Sequence, residues 1–144
     1  MKIQITKEFS FEAAHALDGY NGKCKNIHGH SYKLDICVSG TPNDKKDDSS
    51  YGMVMDFKEI KVVYKQEINP LFDHRLILKD DSRFKDSISQ YKGIRFVPYQ
   101  PTCENMLIEI VQILQGRLPK DVTLELVRLR ETVTSYAEWL NDLK

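Results

Sequence analysis

This chain of 144 residues lacks several features that mark particular classes of protein. No apolar run approaches the roughly 20 residues that a membrane-spanning helix needs, and no signal peptide is recognisable before the first strand pattern. Lysine plus arginine and aspartate plus glutamate cancel at 21 each, so no excess positive charge attracts nucleic acid. We therefore expect a cytoplasmic protein with neither a membrane nor a nucleic-acid partner.

Cysteine is scarce as well. Three cysteines, an odd number without compact spacing, argue against a disulfide framework and favour free thiols. The length is typical of one domain, here residues 1–144, that buries about 70% of the surface of the unfolded chain.

Two segments alternate between apolar and polar residues with period two, which predicts half-buried strands. In residues 2–15 the apolar face ends in His15, and in residues 28–39 it begins with two histidines. The first face contains Ile3, Ile5, Phe9, Phe11, Ala13 and His15, with Lys7 as an exception. The second contains His28, His30, Tyr32, Leu34, Ile36 and Val38.

Two helices are predicted in the middle of the chain. The first spans about 57–68, with Asp56 as N-cap and Pro70 closing it, and the second lies between a Thr102 cap and Gly116.

The C-terminal part, 122–140, reads as two strands around a turn near 132–134. We read the polar segment 40–52 as a hairpin loop, 79–93 as a loop with a possible short helix, and 94–97 as a candidate short strand. The pattern predicts an α+β fold in the order ββααββ, with a four-stranded antiparallel sheet and two helices on one face. The two open edges of such a sheet favour association between chains.

The histidines are the strongest chemical signal. His28 and His30 are two positions apart on one strand, so both rings project from the same face. Antiparallel pairing of the first two strands would bring His15 beside them. Three imidazoles with an open fourth position are typical of catalytic zinc. A structural zinc site closed by Cys24 is the main alternative, since structural sites have four protein ligands.

Other candidate site residues have weaker signals. Cys24 lies between two lysines, which favour the thiolate; Cys37 and Cys103 are expected to be structural. The pair Asp73-His74 has the order of a carboxylate that orients an imidazole, although such a pair is more often a surface ion pair.

Two glutamates complete the candidates. Glu131 at a strand end could hold a guanidine-like edge through two hydrogen bonds. Glu104 lies where a helix start favours a carboxylate in any case.

Together these segments resemble the 6-pyruvoyl-tetrahydropterin synthase family, and within it the bacterial branch that makes 6-carboxy-tetrahydropterin for queuosine biosynthesis. The resemblance covers nearly the whole chain and rests on six motifs in order. They are FSFEAAHAL, CKNIHGHSY, GMVMDFKEIK, LFDHRLIL, PTCEN and ETVTSYAEW.

The resemblance implies a tunnelling fold that assembles into trimers or hexamers with active sites between subunits. It implies zinc bound by His15, His28 and His30, with Cys24 as catalytic base. It further implies that Asp73 and His74 form a relay to a neighbour's Cys24, that Glu131 anchors the pterin and joins the relay, and that Thr102 and Glu104 line the pterin pocket.

The implied reaction is a lyase reaction on 7,8-dihydroneopterin triphosphate. Three residues separate Cys24 from His28, which is similar to the 6-carboxy branch, whose reaction releases acetaldehyde and triphosphate. The alternatives are the pyruvoyl branch, which releases only triphosphate, and a non-catalytic structural-zinc module. A cysteine hydrolase is disfavoured, because no oxyanion-hole element is recognisable.

Overall fold

In the computed structural model, which describes residues 1–88 and 90–142, six strands form one mixed sheet in the order β4-β3-β1-β2-β5-β6. The strands are β1 (Ile3–His15), β2 (His28–Gly40), β3 (Arg75–Lys79), β4 (Ile94–Val97), β5 (Thr123–Thr132) and β6 (Ser135–Leu140). Strands β1, β2, β5 and β6 pair antiparallel, while β3 runs parallel to β1 and β4 parallel to β3.

The helices have clear local causes. Helix α1 (Phe57–Val63) starts at a capping box: the Lys58 N–H donates to the side chain of Asp56, and the Asp56 N–H donates to Glu59. A π-helical segment (Tyr64–Ile68) continues it into α2 (Asn69–Phe72). Helix α3 (Lys85–Ile88) is a single turn.

Helix α4 (Cys103–Gln115) begins at Thr102, whose hydroxyl accepts a hydrogen bond from the Asn105 N–H, and ends at Gly116, as predicted. Helices α1, α2 and α4 share one core with the sheet, whereas α3 contributes no buried residue to it. The largest fully buried side chains of the core include Phe11, Tyr32, Leu34, Ile36, Ile60, Ile68, Phe72, Met106, Ile110 and Leu114.

The prediction of a four-stranded antiparallel sheet in the order ββααββ is wrong in its details. Strands β3 and β4 add a parallel half to the sheet, so that β4 and β6 are its edges. They contain only five and four residues, too few to display a period, and parallel pairing leaves no hairpin signal. The candidate strand at 94–97 is confirmed as β4.

Two connections also differ from the prediction. The segment 40–52 is not a hairpin loop, because it leads from β2 towards α1; residues 16–27 join the antiparallel pair β1 and β2. Pro70 does not close the first helix but lies within α2, the continuation of that helix. The short helix expected within 79–93 is confirmed as α3, although Ser89 lies outside the described residues.

No helix in residues 1–88 and 90–142 is long and apolar enough to cross a membrane.

Candidate metal centre and active site

The strand register brings the three predicted histidines together. In the antiparallel pair of β1 and β2, His15 lies directly opposite His28, and Ala13 lies opposite His30. All three rings project from the core face of the sheet, since alternate residues of a strand share a face. Gly29, between two of them, faces the carbonyl oxygen of Ala13, which would lie 3.2 Å from an added Cβ.

The imidazoles converge on one point. One ring nitrogen from each of His15, His28 and His30 lies within 4.8 Å of the others. The ring centroids are 4.5 Å apart for His15 and His28, 5.2 Å for His15 and His30, and 4.9 Å for His28 and His30. This arrangement can hold one metal ion.

Backbone carbonyls determine which nitrogen two of the rings, those of His15 and His28, present to the cluster. The Nδ1 atom of His15 lies 2.6 Å from the Pro101 carbonyl oxygen, and the Nδ1 atom of His28 lies 2.7 Å from that of Asn26. A carbonyl only accepts, so each Nδ1 carries the proton and each neutral ring has a bare Nε2. Such contacts orient metal-binding histidines in proteins generally.

Burial disfavours the charged form of two of the three imidazoles. It lowers the pKa of His15 and of His30 below the usual imidazole value, because the charged form loses hydration. The Nε2 atom of His30 is buried and makes no hydrogen bond to the described residues. Three imidazole nitrogens, one of them without a hydrogen bond to the described residues, fit a divalent ion of the zinc type.

Glu131 lies against this cluster at the end of β5. Its Oε1 atom is 3.6 Å from Nε2 of His15, 3.7 Å from Nε2 of His30, and accepts a hydrogen bond of 3.4 Å from the hydroxyl of Tyr32. The register between β5 and β6 shifts between Arg130 and Thr132, which re-aims the side chain at this position. The carboxylate therefore lies at the edge of the candidate metal centre.

One cavity of about 470 Å³ collects the other candidates. Its lining includes His15, Cys24, Thr102, Glu104 and Glu131. The volume is within the range of small-molecule sites. Cys24 lies half-buried on a short 3-10 turn (Lys23–Lys25) in the connection from β1 to β2. In the part of the chain that the structure describes, its sulfur is not one of the converging ligand atoms.

Cys103 lines the same cavity but has a different environment. Its thiol is buried and donates to the carbonyl oxygen of Leu129 at 3.3 Å. Burial raises the pKa of Cys103 to about 11, so it stays protonated at neutral pH. Cys37 is buried in β2. Both environments agree with the structural roles expected for these thiols.

Asp73 and His74 do not join Cys24 within one chain. His74 lines a separate cavity of about 520 Å³ with Arg75, Tyr91 and Lys92. Its Nδ1 atom is 2.9 Å from Asp73, and its side chain is 79% exposed. Desolvation by itself would raise the pKa of Asp73. It is outweighed by hydrogen bonds from the Glu12 N–H and from His74, which lower the pKa of this carboxyl below its usual value.

His74 has a positive φ of 58°, a conformation that is uncommon outside glycine and often found at functional sites. Asp73 and His74 therefore form a preorganised side-chain pair on the surface of the single chain.

Sequence reasoning missed the groups that orient the site. The carbonyls of Asn26 and Pro101 belong to the backbone and carry no residue-type signal. Tyr32 did have a sequence signal, because it follows His30 on the same strand face. Its ring lies edge-on to that of His30, with 5.5 Å between the ring centroids. Gln100, which lines the same cavity as Cys24, had no sequence signal.

Comparisons with known proteins agree with this geometry. The sequence pattern of the family described as 6-pyruvoyl tetrahydropterin synthase matches residues 4–142. A protein of Haemophilus influenzae named 6-carboxy-5,6,7,8-tetrahydropterin synthase is 37% identical, over 95% of this chain and 98% of its own length. A Rickettsia typhi protein of the same name is 33% identical, over 94% and 99%.

Solved structures show the same fold. An uncharacterized protein from Wolinella succinogenes superposes with a TM-score of 0.82 at 21% identity, covering 99% of both chains. The 6-pyruvoyl tetrahydropterin synthase of Caenorhabditis elegans superposes with a TM-score of 0.72 at 23% identity, covering 99% of this chain and 97% of its own. By sequence and by fold, this chain belongs to the 6-pyruvoyl tetrahydropterin synthase family.

Proposed function

We propose that this protein is a zinc-dependent carbon–carbon lyase of queuosine (7-deazaguanine) biosynthesis, a tRNA modification pathway. With one molecule of water, it converts 7,8-dihydroneopterin triphosphate to 6-carboxy-5,6,7,8-tetrahydropterin, acetaldehyde and triphosphate. The observation that carries the proposal is that three imidazoles converge on one point and that one of them, His15, lines a cavity together with Cys24 and Glu131. The names of full-length relatives support the choice of product.

The metal would be held by Nε2 atoms. His15 and His28 have Nδ1 occupied by carbonyls, and Nε2 of His30 is buried without a hydrogen bond to the described residues. Zinc held by these three ligands supplies Lewis-acid polarisation of the side-chain hydroxyls of the substrate. The absence of Cys24 from the converging ligand atoms, within the described residues, favours this open site over a closed structural one.

The chain's own residues move protons and hold the heterocycle. Cys24, as thiolate, takes a carbon-bound proton and returns protons while the dihydropterin tautomerises. Glu131 accepts two parallel hydrogen bonds from the guanidine-like edge of the pterin, and links it to the relay. Thr102 and Glu104 line the pocket that receives the ring.

The active form is a homo-oligomer, a trimer or hexamer of single-domain chains in the cytoplasm. Asp73 and His74 of one subunit complete the relay to Cys24 of the next. The exposure of His74 and its separate cavity support this arrangement, since a relay within one chain would need the two cavities to meet.

Product analysis tests the reaction. Zinc-loaded protein is incubated with 7,8-dihydroneopterin triphosphate, and acetaldehyde, triphosphate, pterin products and bound metal are measured together. We expect equal amounts of acetaldehyde and 6-carboxy-tetrahydropterin. Triphosphate release with a pyruvoyl product and no acetaldehyde would assign the chain to the other branch, and no turnover with bound zinc would support a structural module.

Subunit mixing tests the shared site. C24A and H74A variants are each expected to be inactive. In oligomers formed from an equal mixture, about a quarter of the sites combine an intact Cys24 from one subunit with an intact His74 from the next, so about a quarter of the wild-type activity is expected to return. Complete inactivity of the mixture, with mixed oligomers verified by native mass spectrometry, would contradict the relay between subunits.

A further inference from the structure

The connection between β1 and β2, residues 16–27, carries Cys24 on a short turn that contains no buried residue. Its own hydrogen bonds are local: the Leu17 N–H donates to the Cys24 carbonyl oxygen at 2.9 Å, and the Lys25 and Asn26 N–H groups close the turn at 3.2 and 3.1 Å. Because no side chain of the turn is packed in the core, contacts from outside the connection contribute to the position of the thiol.

Arg83 is the side chain that spans this connection. Its Nη1 donates to Oδ1 of Asp18 at 2.8 Å, and its backbone N–H reaches the same oxygen at 3.3 Å. Its Nη2 donates to the carbonyl oxygen of Lys25, the residue after Cys24. The guanidinium carbon lies 4.3 Å from the ring centre of Phe84, which holds the group in place.

Asp18 is itself fixed from the other side. The amide of Gln100 donates through Nε2 to the Asp18 carbonyl at 2.7 Å, and its Oε1 accepts from the Asp18 N–H at 3.3 Å. Asp18 is thus an anchored point, and Arg83 ties the peptide after Cys24 to it.

The same peptide leads to the metal centre. Asn26 follows Lys25, and its carbonyl oxygen accepts the Nδ1–H of His28. An arginine that fixes the Lys25 carbonyl therefore restrains the chain on both sides of Lys25. Cys24 lies before it, and Asn26, whose carbonyl orients His28, lies after it.

We propose that Arg83 is a positioning residue that sets the location of the Cys24 thiol relative to the histidine cluster. The proposal rests on the proposed role of Cys24 as the base. Arginine is required because its planar fork reaches two acceptors at once, whereas an ammonium group is a single point of charge. A small displacement of a reacting group is enough to slow a reaction strongly.

The test compares R83A with R117A, both measured as intact, zinc-loaded protein. Arg117 is a matched control, because it forms a partly exposed ion pair with Glu67 at 3.2 Å and lines no part of the cavity. We expect R83A to lower kcat about 10-fold with KM changed by less than about twofold, and R117A to leave both unchanged.

A second readout does not depend on turnover. Iodoacetamide alkylation of Cys24 in the resting protein, followed by peptide mass spectrometry, reports on the surroundings of the thiol. We expect its rate to change at least about threefold in R83A and not in R117A. R83K, which keeps the charge but lacks the fork, is expected to fall between wild type and R83A, and it replaces R83A if that variant does not fold.

The double variant R83A/D18N is expected to match R83A in kcat, because the two side chains act as one unit. Unchanged alkylation and unchanged kcat in R83A and R83K would overturn the positioning role and leave the lyase proposal intact. Full turnover in C24A would overturn the role of Cys24 as base. A changed alkylation rate in R83A would in that case still show that Arg83 positions the thiol.

Discussion

The Nε2 atoms of His15 and His28 face each other at 3.0 Å. Since both Nδ1 atoms donate to backbone carbonyls, two neutral rings would direct two lone pairs at one another across this gap. A cation that takes both lone pairs removes the repulsion, and His30 completes the set. The backbone thus preorganises three imidazoles that can hold a metal ion.

Replacing His28 by alanine is expected to abolish stable zinc binding. The loss in affinity should exceed the 10- to 100-fold typical of removing a group that merely orients a ligand. Metal content after gel filtration, measured by mass spectrometry, gives the result. H74A is the control, since that exposed imidazole lies outside the converging group and should leave the metal in place. Full zinc occupancy in H28A would contradict the assignment of the ligands.

Replacing Cys24 by alanine is expected to preserve zinc and fold but to lower turnover by roughly 10²- to 10⁴-fold, the usual contribution of a general base. Steady-state kinetics and metal content are measured on the same preparation. C37A is the matched cysteine control; it truncates a buried thiol of β2 that lines no part of the cavity and should retain turnover. Loss of zinc in C24A would instead support a four-ligand structural site.

Cys103 offers a test that depends on pH. Its pKa of about 11 lies above the ordinary thiol value, so the folded protein retains the proton as pH rises. At pH 8 only about one Cys103 in a thousand is a thiolate. Alkylation of native protein at pH 8 should therefore modify Cys24 and spare Cys103, whereas in denaturant both should react. Rapid modification of Cys103 in the native state would show that its burial is incomplete.

Thr102 caps α4 and also lines the cavity, and a pair of variants can separate the consequences of these two positions. T102A and D56A each remove an N-cap and should each lower the free energy of unfolding by about 1 kcal/mol, measured by denaturant titration. Only T102A is expected to raise KM, because Thr102 lines the cavity and Asp56 does not. Equal KM values in the two variants would restrict Thr102 to its capping role.

Several features of the fold followed from local patterns. The alternation in β1 and β2 correctly predicted that His15, His28 and His30 would share one face, since side chains on a strand have period two. The prediction of N-caps at Asp56 and Thr102 was also correct, because a cap is a contact between residues only two or three positions apart.

Other features depend on contacts between distant parts of the chain. The parallel strands β3 and β4 are too short to show a pattern, and they are held by partners far away in sequence. Arg83 has no local signal either, since its contacts with Asp18 and Lys25 are 65 and 58 positions distant.

The sequence by itself determined the row of histidines, the thiol four positions before it, and the family, because these follow from residue type and short-range spacing. Only the tertiary structure decided which ring nitrogens converge and which groups bond to the connection that carries the thiol. Those depend on the carbonyl of Pro101 and the guanidinium of Arg83, which meet the site only once the distant segments have packed together.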